Sequence, residues 1–303
     1  MVVLGQQPRF GVIGGSGVVI EGRDPWKVQT PYGEVLLTTL DDDHRVVFAN
    51  RHLCTTIDAE TGKAKYAAPH EVNYRALIWA LVVESGCNGG VVALGSSGTL
   101  HPEVVPVGSV IIADDYYMVT PEPMTFSGSD KIGLFAVPEN GVGRIHYTPA
   151  DPLDERWGKF KENVQIALRA ILPDVESKVK LAKGQTRELW PCAHSLKPGQ
   201  DLEDSVVYVN TVGPRFETRA EIRAYRQVGH VVGMTCGREW SLCEELCVPY
   251  VLVCFCDNAC NGLSKHPGGA LQEYLDHKQS ISDVTSAVVR QLVAELPKAS
   301  SLK

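Results

Sequence analysis

Short runs of apolar and β-branched residues recur along the chain, separated by stretches in which apolar positions return every three or four residues. The runs predict strands over 10–13, 35–40, 45–49, 90–94, 109–113, 206–211, 231–234 and 250–256. The longer stretches predict helices over 71–85, 157–171, 218–228, 238–246 and 280–295. In the first of these helices Val72, Leu77, Trp79, Ala80 and Val83 spread widely around the axis, which predicts burial on most sides. Strands and helices alternate, so the fold class is α/β. No internal repeat and no Pro/Gly/Ser linker divides the chain, which reads as one domain over 1–303. Two segments break the pattern and are expected as exposed excursions: 58–68, and 174–204, where Lys178, Lys180, Lys183 and Arg187 mix with acids and few large hydrophobes.

At 303 residues and 44% hydrophobic content the chain can bury a full core. The net charge of −7, with basic residues scattered, gives no footprint for a nucleic-acid backbone or an anionic membrane. The first residues carry no basic region followed by an apolar one, and no apolar run reaches the ~20 residues of a membrane span. The expected location is the cytosol. Nine cysteines, three of them (Cys254, Cys256, Cys260) in or beside an apolar run, read as reduced, buried thiols. The spacings Cys243 to Cys247 and Cys254 to Cys256 match no zinc knuckle, so no metal is expected.

Six places could carry chemistry. The first strand ends in Gly14-Gly15-Ser16-Gly17, either an anion cradle of backbone N–H groups with one hydroxyl or a tight turn that needs glycine. Arg51-His52 follows the strand 45–49, where a guanidinium fork and an imidazole suit an oxyanion, although spacing alone fits a surface arginine and a capping histidine. Gly95-Ser96-Ser97-Gly98-Thr99 reads as a second turn of small residues with free donors. Phe216-Glu217, leading into a helix, offers a face for a flat ring beside an acceptor for a ring N–H, or a hydrophobic staple with a helix-start acid. Met234-Thr235 and Asp257-Asn258 end two later strands with polar groups. Together these suggest a phosphate or carboxylate pocket above the strand ends.

Gly14-Gly15-Ser16-Gly17, Arg51-His52, Val72-Asn73-Tyr74, Gly98-Thr99-Leu100, Gly213-Pro214-Arg215-Phe216-Glu217-Thr218 and Gly233-Met234-Thr235 together resemble the trimeric purine nucleoside phosphorylases, nearest their methylthioadenosine- and methylthioinosine-cleaving branch. The resemblance runs from about Gly11 to the last helix. It implies a three-layer αβα domain with a central mixed sheet, a homotrimer, and cleavage of a purine nucleoside by inorganic phosphate with no metal or organic cofactor. It places phosphate on Ser16, Arg51, His52, Gly95, Ser96 and Thr235. It places Met234 along the ribose, Phe216 and Glu217 on the purine, and His146 at the 5′ side of a neighbouring subunit's sugar. Asn258 or Asp257 would act on the departing base.

The chain departs from methylthioadenosine phosphorylases at 257–260, where Thr-Asp-Tyr-Asp is replaced by Asp257-Asn258-Ala259-Cys260. An amide donates to a 6-oxo group and Glu217 accepts from the N1–H that only a 6-oxopurine carries, while a one-residue bulge would bring Asp257 to the pocket instead. Base preference stays open on these residues, as does the 5′ group, for which Leu271 and Gln272 are candidates. The competing class is a nucleoside-binding protein without turnover.

Overall fold

In the computed structural model, which describes residues 7–15, 17–18, 20, 22–56, 58, 61, 64–119, 124–126, 149, 155–176, 191–192 and 205–299, the described strands join one mixed sheet. β1 (Phe10–Gly14) lies between β4 (Val46–Asn50) and β5 (Gly90–Thr99), parallel to both, and is buried along its whole length. A strand covered on both faces needs no polar alternation, which is why these strands stand out as continuous apolar runs. β11 (Tyr250–Ala259) runs parallel to β5 on its other side, and β6 (Val110–Ile112) pairs antiparallel with β11. The far end of β5 also pairs with β10 (Val231–Gly233), through Thr99 and Gly98, and the sheet continues to β9 (Val207–Asn210) and β7 (Asp115–Met118). β5 is thus where the sheet branches. At the other edge the hairpin of β2 (Arg23–Thr30) and β3 (Gly33–Thr39) extends from β4, and β8 (Pro191–Cys192) pairs with β6.

Neighbouring residues on the central strands face opposite cores, as a period of two requires. Ile13, Val91, Ala93, Leu252 and Cys254 pack with Leu77, Ile78 and Trp79 of α1 (Tyr74–Trp79) and with Trp240 and Leu242 of α4 (Cys236–Glu245). Val12, Val92, Leu94, Val251 and Val253 pack with Phe160, Val164 and Leu168 of α2 (Glu155–Glu176) and with Val288 and Leu292 of α5 (Gly269–Ala299). The result is the expected three-layer αβα arrangement. α1 passes into a π-helical turn over Ala80–Glu84, and Asn73 caps its start by accepting from Ala76 N. Thr218 and Glu221 form a reciprocal capping box on α3 (Arg219–Tyr225).

Several expectations are corrected. The residues Gly95 to Thr99 form no turn; they continue β5, in register with Cys254 through Ala259 of β11. Apolar neighbours had defined only the first half of this strand, and its small residues pair equally well. β2 carries Arg23, Asp24, Pro25 and Lys27, so it reads as polar, yet it is an edge strand, where proline and charge are tolerated. α5 begins well before 280, through a stretch whose Leu271 and Leu275 are exposed and show no apolar stripe. Part of 58–68 is held rather than free: Lys65 N donates to Thr56 O (2.8 Å) and Ala67 N to His52 O (2.7 Å). Of the expected excursion 174–204, the described residues are 174–176 at the end of α2 and 191–192 in β8.

Candidate active site

The ends of β1, β5, β10 and β11 open into a cleft of about 290 Å³. One end gathers Gly15, Arg51, His52, Ser96 and Thr235; the other gathers Phe216, Glu217, Met234 and Asn258. Nine of the residues named from sequence therefore meet around one space, although they come from six separate stretches of chain.

Arg51 is fully buried and held by the equally buried Glu239 of α4, with Nε to Oε1 at 2.6 Å and Nη2 to Oε2 at 2.9 Å. Nη1 donates to Leu94 O (2.9 Å) and Nη2 also lies 3.5 Å from Cys236 Sγ, so four of the five N–H bonds of the guanidinium are engaged. The arginine is therefore a fixed floor to the cleft rather than a mobile clamp. Gly15 lies directly over it: a Cβ there would sit 2.7 Å from Nη1, so only glycine lets the guanidinium reach the cleft.

His52 Nδ1 lies 2.8 Å from Ala67 O, and because a carbonyl only accepts, that nitrogen carries the proton. Burial, reinforced by Arg51, lowers its pKa to about 4, so the ring is neutral at pH 7 and Nε2 is an acceptor. Tyr66 stacks on it, with centroids 4.9 Å apart and planes 14° apart. Thr235 is the N-cap of α4 but makes no capping bond; it lines the cleft, with Oγ1 3.4 Å from Cys236 Sγ, where the positive end of a ten-residue helix favours an anion.

At the other end Glu217 is buried, its Oε1 accepting from Thr211 Oγ1 at 2.7 Å, and burial raises its carboxyl above the usual glutamate value. Phe216 lies at 6.2 Å and 60° from the ring of Tyr274. Gly213, at φ +69°, brings the backbone against Met234, since a Cβ would sit 2.8 Å from its Sδ. Asn258 is buried on the cleft wall, facing Gly98, where a Cβ would lie 3.2 Å from Nδ2.

The bulge weighed in the sequence exists, between Cys256 and Asn258 of β11. It has the opposite outcome: Asn258 enters the cleft, and Asp257 turns into the wall, hydrogen-bonded to the Ser96 hydroxyl. Asp257 thus does not line the cleft. Gly95 is also set back from the cleft, with Cys236 Sγ 2.9 Å from where its Cβ would be. Ser16 and His146 lie outside the described residues. Sequence reasoning missed Tyr66, Pro69 and Tyr274, which line the mouth. Leu271 is 55% exposed, and Tyr274, about one helical turn further along α5, lines the cleft. Among the described residues no group of three His, Cys, Asp or Glu side chains is placed to hold a metal ion, and no helix is long and apolar enough to cross a membrane.

A buried arginine with hydroxyls at one end of the cleft and an aromatic ring, an acid and an amide at the other face each other above a branched α/β sheet, an arrangement suited to holding an oxyanion beside a ring-bearing small molecule. The family model described as the phosphorylase superfamily matches residues 9–294, and the chain belongs to that family. It is 31% identical to the 6-oxopurine nucleoside phosphorylase of Pyrococcus furiosus, covering 96% of this chain and 92% of that one. It is 30% identical to a probable S-methyl-5′-thioinosine phosphorylase of Methanopyrus kandleri (96% and 89%), and 32% identical to the S-methyl-5′-thioadenosine phosphorylase of Thermococcus kodakarensis (80% and 76%). Its fold matches an adenosine/methylthioadenosine phosphorylase double mutant of Schistosoma mansoni in complex with adenine, with a TM-score of 0.67, 23% identity and coverage of 95% and 92%.

Proposed function

We propose that the protein cleaves the N-glycosidic bond of a purine nucleoside with inorganic phosphate, releasing the free purine and a ribose 1-phosphate, and that it prefers a 6-oxopurine base. The observation that carries the base preference is the pairing of the Asn258 amide, not a carboxylate, with Glu217 at the ring end of the cleft. A phosphate oxygen bonds to C1′ as the C1′–N9 bond breaks, and its electron pair leaves with the purine. Negative charge then spreads over the ring towards N7 and O6, where the amide N–H of Asn258 can donate. Glu217, as a carboxylate, accepts from N1–H. Arg51, Ser96, Thr235 and the start of α4 orient the attacking anion, and orientation of this kind lowers the entropic part of the barrier. The relatives' names support both a 6-oxopurine and a methylthio sugar, and the aromatic mouth of Tyr66 and Tyr274 supports accepting 5′-methylthio nucleosides, methylthioinosine first and methylthioadenosine with it.

We take phosphate as co-substrate, with no metal or organic cofactor, and a cytosolic homotrimer as the working form. The test is base release from methylthioinosine, inosine, methylthioadenosine and adenosine, each with and without phosphate. Phosphate-dependent release, faster for the hypoxanthine-bearing pair, is the expected outcome. Release without phosphate would make the protein a hydrolase, and binding without release would make it a carrier.

A further inference from the structure

Asp257 has no partner across the ladder, because Cys256 faces Ser97 and Asn258 faces Gly98. The extra residue sends its carboxyl against β5, where Oδ2 is hydrogen-bonded with Ser96 Oγ and Oδ1 is buried with no partner among the described residues. Ser96 is the one exposed residue of β5 and lines the anion end of the cleft. One hydrogen bond therefore separates a buried acid from the place assigned to phosphate.

A carboxylate with a bare oxygen in dry surroundings is costly, and the neutral acid far less so. Burial pushes the Asp257 carboxyl up to about 8. The Ser96 hydroxyl and the residue's own backbone N–H pull it down in part, but the groups around it do not reverse the rise. Glu273 of α5, whose Oε2 accepts from Ala259 N at 2.8 Å, raises it further. His277, also of α5, reaches only the Asp257 backbone oxygen, at 2.9 Å through Nδ1, and the nearby Cys260 thiol is itself pushed far up by burial and stays neutral.

We propose that Asp257, as a neutral acid, donates its proton to Ser96 Oγ and so frees the single Ser96 O–H to point at phosphate, making Asp257 a positioning residue for the anion. A hydroxyl has one hydrogen to give and two lone pairs to receive with. While Asp257 donates, Ser96 donates onward to the anion. Once Asp257 ionises, the Ser96 hydrogen turns back to the carboxylate, and a lone pair and a new negative charge face the phosphate. Phosphate affinity is thus present below the carboxyl's pKa and lost as pH rises through it. The inference rests on the proposed location of phosphate.

The experiment is the phosphate dependence of initial rates at saturating methylthioinosine, from about pH 6.5 to about pH 9.5, for wild type, Asp257→Asn, Asp257→Ala and Ser96→Ala. In wild type KM for phosphate should climb by up to about ten-fold per pH unit above about 8, with kcat changing much less. The asparagine amide donates at every pH, so Asp257→Asn should restore low KM and lack the climb. Asp257→Ala and Ser96→Ala should have raised KM throughout and no climb. The ionisation of phosphate itself is common to all four, so ratios to wild type isolate the protein's contribution. Parallel curves for wild type and Asp257→Asn, or a climb that survives in Ser96→Ala, overturn the proposal. Absence of phosphate-dependent release from wild type would instead sink the proposed function. Calorimetric titration with phosphate over the same pH range then decides the inference: a climb in wild type that Asp257→Asn lacks supports it, and matching curves overturn it.

Discussion

Glu217 must be ionised to accept a ring N–H, yet burial raises its carboxyl above the ordinary value, outweighing the Thr211 hydrogen bond that lowers it. The turnover of 6-oxopurine nucleosides should therefore fail on the acid side, as pH drops through that raised pKa, and earlier than an exposed glutamate would allow. Glu217→Gln should remove this limb and lower kcat/KM for inosine or methylthioinosine about 10²- to 10³-fold, worth about 3–4 kcal/mol. Adenine-bearing nucleosides, which have no N1–H, should lose much less; pH profiles of kcat/KM with both bases check this. Both Phe216 and Glu217 were legible as a pair, because a local stretch leading into a helix start fixes them. The choice between Asp257 and Asn258 was not, because it depends on a one-residue bulge against a strand some 160 positions away in sequence.

The segment 64–69 is the element that the apolar pattern described least well. It offers no periodicity, and its expected role was a solvated excursion. Two backbone hydrogen bonds and the His52 stack instead fix it over the cleft, with Tyr66 54% exposed at the rim. Such a side chain contacts substrate at the open side of the cleft while leaving the core alone. Tyr66→Ala should raise KM for methylthioinosine about three- to ten-fold, the size expected for one lost aromatic contact, with a smaller change in kcat and no loss of thermal stability. Steady-state kinetics with calorimetry of unfolding would show it; a fall in the melting temperature with unchanged KM would mean that the tyrosine is a structural plug. α5 gave way to sequence reading only from 280 on, since its first turns lack an apolar stripe, and those turns carry Tyr274, Glu273 and His277 to the site.

Across the whole molecule, Arg51 and Glu239 join parts of the chain 188 residues apart, at 1% and 0% exposure. Tyr250 Oη adds a third contact at 2.9 Å, so the end of β4, the helix α4 and the start of β11 share one buried polar knot. Glu239→Ala leaves a buried guanidinium without its partner and should cost about 3–5 kcal/mol, read as a large drop in denaturant midpoint with unchanged slope. Phosphate affinity should fall with it, because the arginine floor of the anion end would be released.

The sequence by itself determined the α/β class, the positions of the central strands and the main helices, and the family, since burial on both faces writes unbroken apolar runs and a few short motifs sit in local turns. Only the tertiary structure decided that Gly95 to Thr99 is strand, that Arg51 is anchored by Glu239, that Tyr66 and Tyr274 form the mouth, and that Asn258 rather than Asp257 faces the cleft. Each of these depends on which distant segment packs against a residue, and hydrogen-bond partners and burial across such separations are set by packing, not by neighbours in sequence.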